Sequence, residues 1–255
     1  MFYKLIKKKC DEWMTSSDCT IRELIQYIYA QNKMRDAQIE AIKIYLFLKI
    51  ACGNRPLWKL FSEGCFNSLD FNTMELTVEA RSILTTNKAA AALLEYALLK
   101  DKNGNQLAPE LEKVIKSQSG RINYEDTFKK IFYGVNYTDY LFSLPMGAGK
   151  TYLMAAFIYL DLYFALNEPD NPAFAHNFMV LAPSGLKSSI IPSLRNIQEF
   201  DPTWIIPEPT ASNLKRMIKF EVLDEQKSAP KSNLVRNPNA QKINNYQPLE
   251  DLMGL

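Results

Sequence analysis

The sequence has few of the residues that build metal sites or disulfide frameworks. Its 255 residues include one histidine, His176, and 4 cysteines, which all lie in the first quarter of the chain and form no CxxC pair. Because zinc sites need cysteine and histidine clustered at short spacing, the sequence argues against a zinc site. We expect reduced, mostly buried cysteines, as in a cytosolic protein.

Long apolar runs and a strong net charge are also absent. No stretch approaches the ~18 apolar residues of a membrane span. The basic cluster Lys7–Lys9 follows the apolar start of the chain, which is the reverse of the order in a secretory signal. The formal net charge of +2 neither requires nor excludes a nucleic-acid partner. We therefore expect a cytoplasmic protein without a membrane partner.

The first half of the chain is predicted to be helical. Apolar residues recur at helical spacing from Ile21 to Tyr29, with Ser17 or Asp18 as a cap. They recur again from Asp36 onward, until Gly53 and the following proline end the helix. Three further helices are predicted at Ala89–Leu99, Pro109–Lys116 and Tyr124–Phe132.

The pattern changes after residue 136. Tyr137–Leu144 is short, aromatic and apolar, which is typical of a buried strand, and Phe178–Ala182 predicts a second one. A helix is predicted after each strand, at Thr151–Leu166 and at Leu186–Ile197. Strands and helices that alternate in this order predict an α/β fold with a parallel sheet.

A glycine-rich turn connects the first predicted strand to its helix. It consists of Pro145, Met146, Gly147, Ala148, Gly149, Lys150 and Thr151. The glycines let the backbone curl so that amide N–H groups face a phosphate, and the helix start adds its positive dipole end. Lys150 can reach the β- and γ-phosphates of ATP, and the Thr151 hydroxyl can ligate Mg²⁺. The alternative is a plain glycine turn with a lysine at a helix start.

Three segments resemble motifs of superfamily 2 DEAD/DEAH-type helicases. Pro145–Thr151 resembles motif I, in which the first glycine of the loop is commonly replaced, here by Leu144. Arg35–Ile42 resembles the glutamine motif, and Val180–Lys187 resembles motif Ia. The chain looks most like the restriction (Res) subunits of type III restriction–modification enzymes, also through phrases such as Asn54–Trp58. The resemblance implies a partial RecA-like P-loop domain preceded by a mainly helical region.

The resemblance also implies roles for individual residues. Arg35 and Gln38 would belong to the ATP site, and the glutamine would read the adenine edge; the alternative for Gln38 is an ordinary polar residue on a helix face. Motif Ia would contact the DNA backbone through Pro183, Ser184, Gly185, Lys187 and Ser188. Those residues could instead cap and decorate a helix start. The implied partners are DNA and a methyltransferase or another defence-system subunit.

Three regions are predicted along the chain. Residues 1–136 form a mainly helical region with the glutamine-motif helix and an inserted helical subdomain, residues 137–225 an incomplete RecA-like NTPase domain, and residues 226–255 a polar, basic, asparagine-rich linker. Hydrolysis in the family needs an acidic motif, for which Asp224 and Glu225 are a weak candidate. We expect an N-terminal fragment or a truncated relative of a larger motor, which binds ATP and hydrolyses it poorly alone.

Two other functions stay open at the level of sequence. The chain could be a different P-loop NTPase, such as a nucleotide kinase or a signalling ATPase. It could also be a truncated interaction or regulatory protein whose helical region binds a partner subunit. The leading hypothesis is an ATP-binding module of a DNA helicase or translocase from a restriction or phage-defence system.

Overall fold

The computed structural model describes residues 2–101, 103–180 and 195–219. In this part of the chain we label nine helices in chain order. They are α1 (Phe2–Thr15), α2 (Arg22–Gln31), α3 (Asp36–Ile50), α4 (Leu57–Ser62), α5 (Val78–Thr86), α6 (Lys88–Leu98), α7 (Pro109–Gln118), α8 (Tyr124–Ile131) and α9 (Lys150–Asn167). A further short helix follows at Thr210–Met217. None of the helices in these ranges is long and apolar enough to cross a membrane.

Helical periodicity predicted most of these helices. The predictions for α2, α3, α6, α7, α8 and α9 are confirmed, with ends shifted by a few residues. Neither Ser17 nor Asp18 caps α2, which begins at Arg22 after Ile21. Helices α1, α4 and α5, and the helix at Thr210–Met217, lie where no helix was predicted. Helix α5 has an N-cap, because the Thr77 side chain accepts a hydrogen bond from the Ala80 N–H.

The predicted α/β fold with a RecA-like parallel sheet is wrong for the described residues, which form an all-helical fold. Their strand-type pairing is limited to one antiparallel bridge between Lys100 and Gln106. Both Tyr137–Leu144 and the described part of the second predicted strand, residues 178–180, are irregular. The apolar pattern of these segments therefore has a cause other than a sheet.

Aromatic side chains hold the first of these segments against the helices. Two residues before the segment, the Val135 carbonyl accepts from the Trp58 indole N–H at 2.9 Å. Within the segment, the Phe142 ring lies 4.9 Å from the Phe157 ring. The Tyr140 hydroxyl donates to the Arg55 carbonyl at 3.3 Å. A buried strand and a single segment packed on helices both need apolar side chains. A strand also requires a neighbouring backbone segment with which to form hydrogen bonds, and the apolar pattern does not indicate whether one is present.

Two groups of buried apolar side chains form the core, and α3 belongs to both. The first group joins α2, α3 and α9 with residues from 197 to 214, and Ile42 and Leu46 are its fully buried members from α3. The second group joins α1 and α3 to α8, and Phe47 is one of its members from α3. The first group therefore contains residues from both sides of position 136.

Helices α3 and α9 lie side by side and point in the same direction. Near their N-terminal ends, the Gln38 side chain bonds to Gly149 at 2.9 Å. About three helical turns further along both helices, Lys49 and Asp161 form an ion pair with 2.6 Å between Nζ and Oδ2. Since each link joins corresponding positions of the two helices, both helices begin at the same end of the pair.

Candidate functional site

The glycine loop lies directly before α9 and has an alternating backbone conformation. Gly147 and Gly149 adopt φ angles of +76° and +77°, while Ala148 between them keeps a negative φ. The Ala148 N–H donates to the Pro145 carbonyl at 3.2 Å and closes a turn. Met146 projects from this turn and is 98% exposed. Alternation of the sign of φ makes successive N–H groups converge, which produces a concavity suited to an anion.

The first turn of α9 offers unused hydrogen-bond donors. Gly149 precedes the helix, Lys150 is its exposed first residue, and Thr151 is half-buried. Among the residues that the structure describes, no acceptor is bonded to the backbone N–H groups of these three residues. Such N–H groups carry the positive end of the helix dipole. The loop is therefore electropositive and open to a ligand.

Two residues from the start of α3 contact this loop across 112 and 111 positions of sequence. The Arg35 guanidinium donates to the Gly147 carbonyl, and Gln38 Nε2 donates to the Gly149 carbonyl at 2.9 Å. Arg35 is exposed, whereas Gln38 is only 4% exposed. The structure thus brings the predicted site residues of the glutamine motif and of the glycine loop together.

The Gln38 carboxamide is engaged through both of its polar atoms. Its Oε1 accepts from the Arg35 N–H at 2.8 Å, which satisfies a donor at the start of α3. Its Nε2 donates to the Gly149 carbonyl, which also accepts from the Leu153 N–H at 3.1 Å. A Cβ atom added at Gly149 would lie 2.6 Å from Nε2. The carboxamide therefore faces the protein and connects the first turns of two helices.

A buried ion pair closes the other end of the α3–α9 pair. Asp161 is 1% exposed, and its carboxylate accepts from Lys49 Nζ at 2.6 Å, the Tyr45 hydroxyl at 2.7 Å and the Ala175 N–H at 3.1 Å. Burial, and then the neighbouring Asp161 charge, raise the pKa of Tyr45 far above its usual value. Neither Lys49 nor Asp161 was predicted as important. The sequence does contain a signal for Asp161, because it is the one charged residue in the apolar run 151–166.

Aromatic residues support the loop from the α9 side. The Tyr152 ring stacks on the Trp204 ring with 5.7 Å between centroids, and Phe200 packs edge-on to Trp204 at 5.4 Å. Tyr152 Cδ2 would lie 3.7 Å from a Cβ atom at Gly149. The first turn of α9 therefore rests on packed rings, and Trp204 acts as a packing residue.

The remaining predicted site residues lie outside the described ranges. They are the motif Ia residues Pro183, Ser184, Gly185, Lys187 and Ser188, the acidic pair Asp224 and Glu225, and the predicted linker 226–255. Their roles stay predictions from sequence. Of the motifs that carry the helicase resemblance, the glutamine motif and the glycine loop are described in full, and they meet.

Comparisons with protein-family models, with characterised proteins and with solved structures found no match for this chain.

Proposed function

We propose that this chain binds ATP with Mg²⁺ at the glycine loop before α9. We further propose that it is the ATP-binding module of a DNA helicase or translocase in a restriction or phage-defence system. One observation carries the nucleotide-binding proposal. Arg35 and Gln38, which sequence resemblance assigns to an ATP site, bond to the carbonyls of Gly147 and Gly149 from the start of another helix.

The residues around the loop fit a triphosphate. Phosphate oxygens need hydrogen-bond donors and positive charge, and both are present. The N–H groups of the loop, the exposed Lys150 ammonium and the exposed Arg35 guanidinium would hold the phosphates. The half-buried Thr151 hydroxyl would hold Mg²⁺, which neutralises charge on the phosphate oxygens.

The DNA part of the proposal rests on sequence. Val180–Lys187 resembles motif Ia, in which residues after a proline contact the DNA backbone. Helix starts present free N–H groups, and Lys187 adds a charge that suits a phosphate.

The isolated chain is expected to bind ATP better than it hydrolyses it. Hydrolysis needs a carboxylate that helps to hold Mg²⁺ and a group that orients water. The candidates for that carboxylate, Asp224 and Glu225, lie outside the described ranges. Robust DNA-stimulated hydrolysis by these 255 residues would contradict this expectation and would favour Asp224 and Glu225 as the acidic motif.

Equilibrium titration of the full chain with Mg·ATP tests nucleotide binding. Lys150→Ala should raise the Kd about 10- to 100-fold, because hydrogen bonds to charged groups contribute about 1.5–3 kcal/mol. Lys88→Ala is the matched control, since Lys88 is also the exposed first residue of a helix, α6, and no glycine loop precedes it. The proposal fails if the wild-type chain binds no Mg·ATP, or if the two variants have the same effect.

DNA binding is tested separately with Lys187→Ala and Ser188→Ala. Both variants should weaken DNA binding and leave the Kd for Mg·ATP unchanged, because motif Ia is expected to contact the DNA backbone alone. Nucleotide binding without any DNA contact would favour a nucleotide kinase or another P-loop NTPase. A partner subunit that binds the helical region without any dependence on ATP would favour the interaction protein.

A further inference from the structure

We infer that Gln38 positions the phosphate loop and does not read the base, so that this site selects its ligand through the triphosphate. The ligand class is then nucleoside triphosphates in general, with weak discrimination between bases such as adenine and guanine. This inference rests on the proposed nucleotide binding and assigns the source of its selectivity.

Both polar atoms of the Gln38 carboxamide already bond to the protein. Oε1 accepts from the Arg35 N–H at 2.8 Å, and Nε2 donates to the Gly149 carbonyl at 2.9 Å. The side chain is 4% exposed. The amide nitrogen keeps a second N–H and the oxygen a second lone pair, but reading an adenine edge requires both to face the base, and the side chain is buried. If the carboxamide turned toward a base, it would lose both the bond from the Arg35 N–H and the bond to the Gly149 carbonyl.

The bond from Gln38 to the Gly149 carbonyl also orients the loop. In a trans peptide the C=O of one residue and the N–H of the next point in opposite directions. Gln38 Nε2 and the Leu153 N–H both hold the Gly149 carbonyl. The N–H of Lys150 must therefore point away from Gln38. A donor that is oriented before the ligand arrives binds a phosphate oxygen with less loss of entropy.

The Gln38 side chain also lies in close contact with Gly149. The φ angle of Gly149 is +77°, and a Cβ atom there would lie 2.6 Å from Gln38 Nε2. The carboxamide nitrogen thus occupies the space that a side chain at position 149 would need. Gly147 has a similar φ of +76° but nothing lies within 4 Å of its Cβ position. Close contact with Gln38 therefore distinguishes Gly149 from the other loop glycine.

The decisive variant is Gln38→Glu. A glutamate still accepts from the Arg35 N–H, as glutamate and glutamine both do at this helix position, but it cannot donate to the Gly149 carbonyl. The Kd values for Mg·ATP, Mg·GTP and Mg·tripolyphosphate should all rise by the same factor, about threefold to tenfold. Gln38→Met, which is neutral and of similar length, should give the same uniform rise. Gln26→Glu makes the same charge change at an exposed position of α2 and should have no effect.

The possible outcomes separate the two proposals. If either Gln38 variant weakens ATP about tenfold more than GTP and tripolyphosphate, Gln38 reads the base and this inference is overturned, while the nucleotide site stands. If the wild-type chain binds none of the three ligands, the proposed function fails and the inference fails with it.

Hydrogen exchange tests the role of Gln38 without a ligand. The Leu153 amide, which shares the Gly149 carbonyl, should exchange faster in Gln38→Glu while the amides of α3 keep their protection; unchanged exchange at Leu153 would overturn the inference.

Discussion

A hydrogen bond to the backbone joins one end of the α3–α9 pair, and a buried ion pair joins the other. At the N-terminal end, Gln38 bonds to the backbone carbonyl of Gly149 beside an exposed loop. At the other end, Lys49 and Asp161 form an ion pair whose side chains are 9% and 2% exposed. The first link leaves the N–H groups of the loop and Lys150 open to a ligand. The second link is closed, because the Asp161 carboxylate already accepts three hydrogen bonds.

Under the proposed function, one pair of helices separates anchoring from binding. A buried charge must be paired and hydrogen-bonded, so the Lys49–Asp161 end tolerates little change. A ligand site must instead keep donors unused, so the glycine-loop end is built from backbone groups and an exposed cation. Changes at the anchoring end should mainly alter stability, and changes at the binding end should mainly alter affinity.

The largest expected effect is at the anchoring end. Asp161→Ala should lower the free energy of unfolding by about 3–5 kcal/mol, because Lys49 would be left buried without its partner. Urea denaturation measures this, with Asp170→Ala as an exposed control that should change stability by less than about 0.5 kcal/mol. The double variant Lys49→Met, Asp161→Leu should recover part of the loss. A loss in Asp161→Ala as small as that of the control would remove the distinction between the two ends.

A smaller loss of stability is expected at the loop. Gly149→Ala should cost about 2 kcal/mol, because alanine is strained at a φ of +77° and its Cβ meets Gln38. Gly53→Ala isolates the backbone strain, since Gly53 has a φ of +64° and nothing within 4 Å, and should cost about 1 kcal/mol. Thermal unfolding compares the two. Equal losses of stability in the two variants would mean that the Gln38 side chain moves aside easily and that its contact with Gly149 does not constrain the loop.

Tyr45→Phe should have a still smaller effect at neutral pH. The phenylalanine keeps the stack on Phe157 at 4.1 Å and loses only the hydrogen bond to Asp161, so about 1 kcal/mol of stability is expected to disappear. The variant should not change the Kd for Mg·ATP. Tyr29→Phe, at a half-exposed position, is the control.

The same variant should change the alkaline part of the stability profile. The folded-state pKa of Tyr45 is raised above the ordinary 10.0, so its contribution is complete below pH 10 and is lost as the pH rises above it. Free energies of unfolding measured between pH 9 and pH 12 should fall less steeply in Tyr45→Phe once the pH exceeds 10, by about 1.4 kcal/mol per pH unit. An identical slope in the two proteins would contradict the burial of this hydroxyl.

The smallest expected effect is that of Arg35→Lys. Lysine keeps the charge but lacks the fork of donors that can reach the Gly147 carbonyl and a phosphate at once, so the Kd for Mg·ATP should rise about threefold. Stability should change by less than about 0.5 kcal/mol, because Arg35 is exposed. Arg22→Lys is matched, since the exposed Arg22 also donates to backbone carbonyls, of Met14 and Ser16, far from the loop in sequence. Equal Kd values in all three proteins would place Arg35 outside the site.

Sequence reasoning was most successful where structure depends on near neighbours. The apolar spacing in α3 and α9 predicted both helices, and the glycines with Lys150 predicted a turn that opens a helix. It was wrong for Tyr137–Leu144, because an apolar aromatic run is equally suited to a strand and to a single segment packed on helices. It missed the Lys49–Asp161 pair, since neither residue reveals its partner from its own position.

The sequence by itself therefore determined most of the helices, the glycine loop and the candidates Arg35 and Gln38. These follow from hydrogen bonds and side-chain spacing within one or two helical turns. Only the tertiary structure decided that no sheet forms in the described residues, that α3 and α9 are parallel, and that the Gln38 carboxamide bonds to Gly149. Those features depend on contacts between residues more than a hundred positions apart, and no local pattern encodes such contacts. The glycine loop is thus recognisable from sequence, but the contacts that fix its conformation depend on the fold.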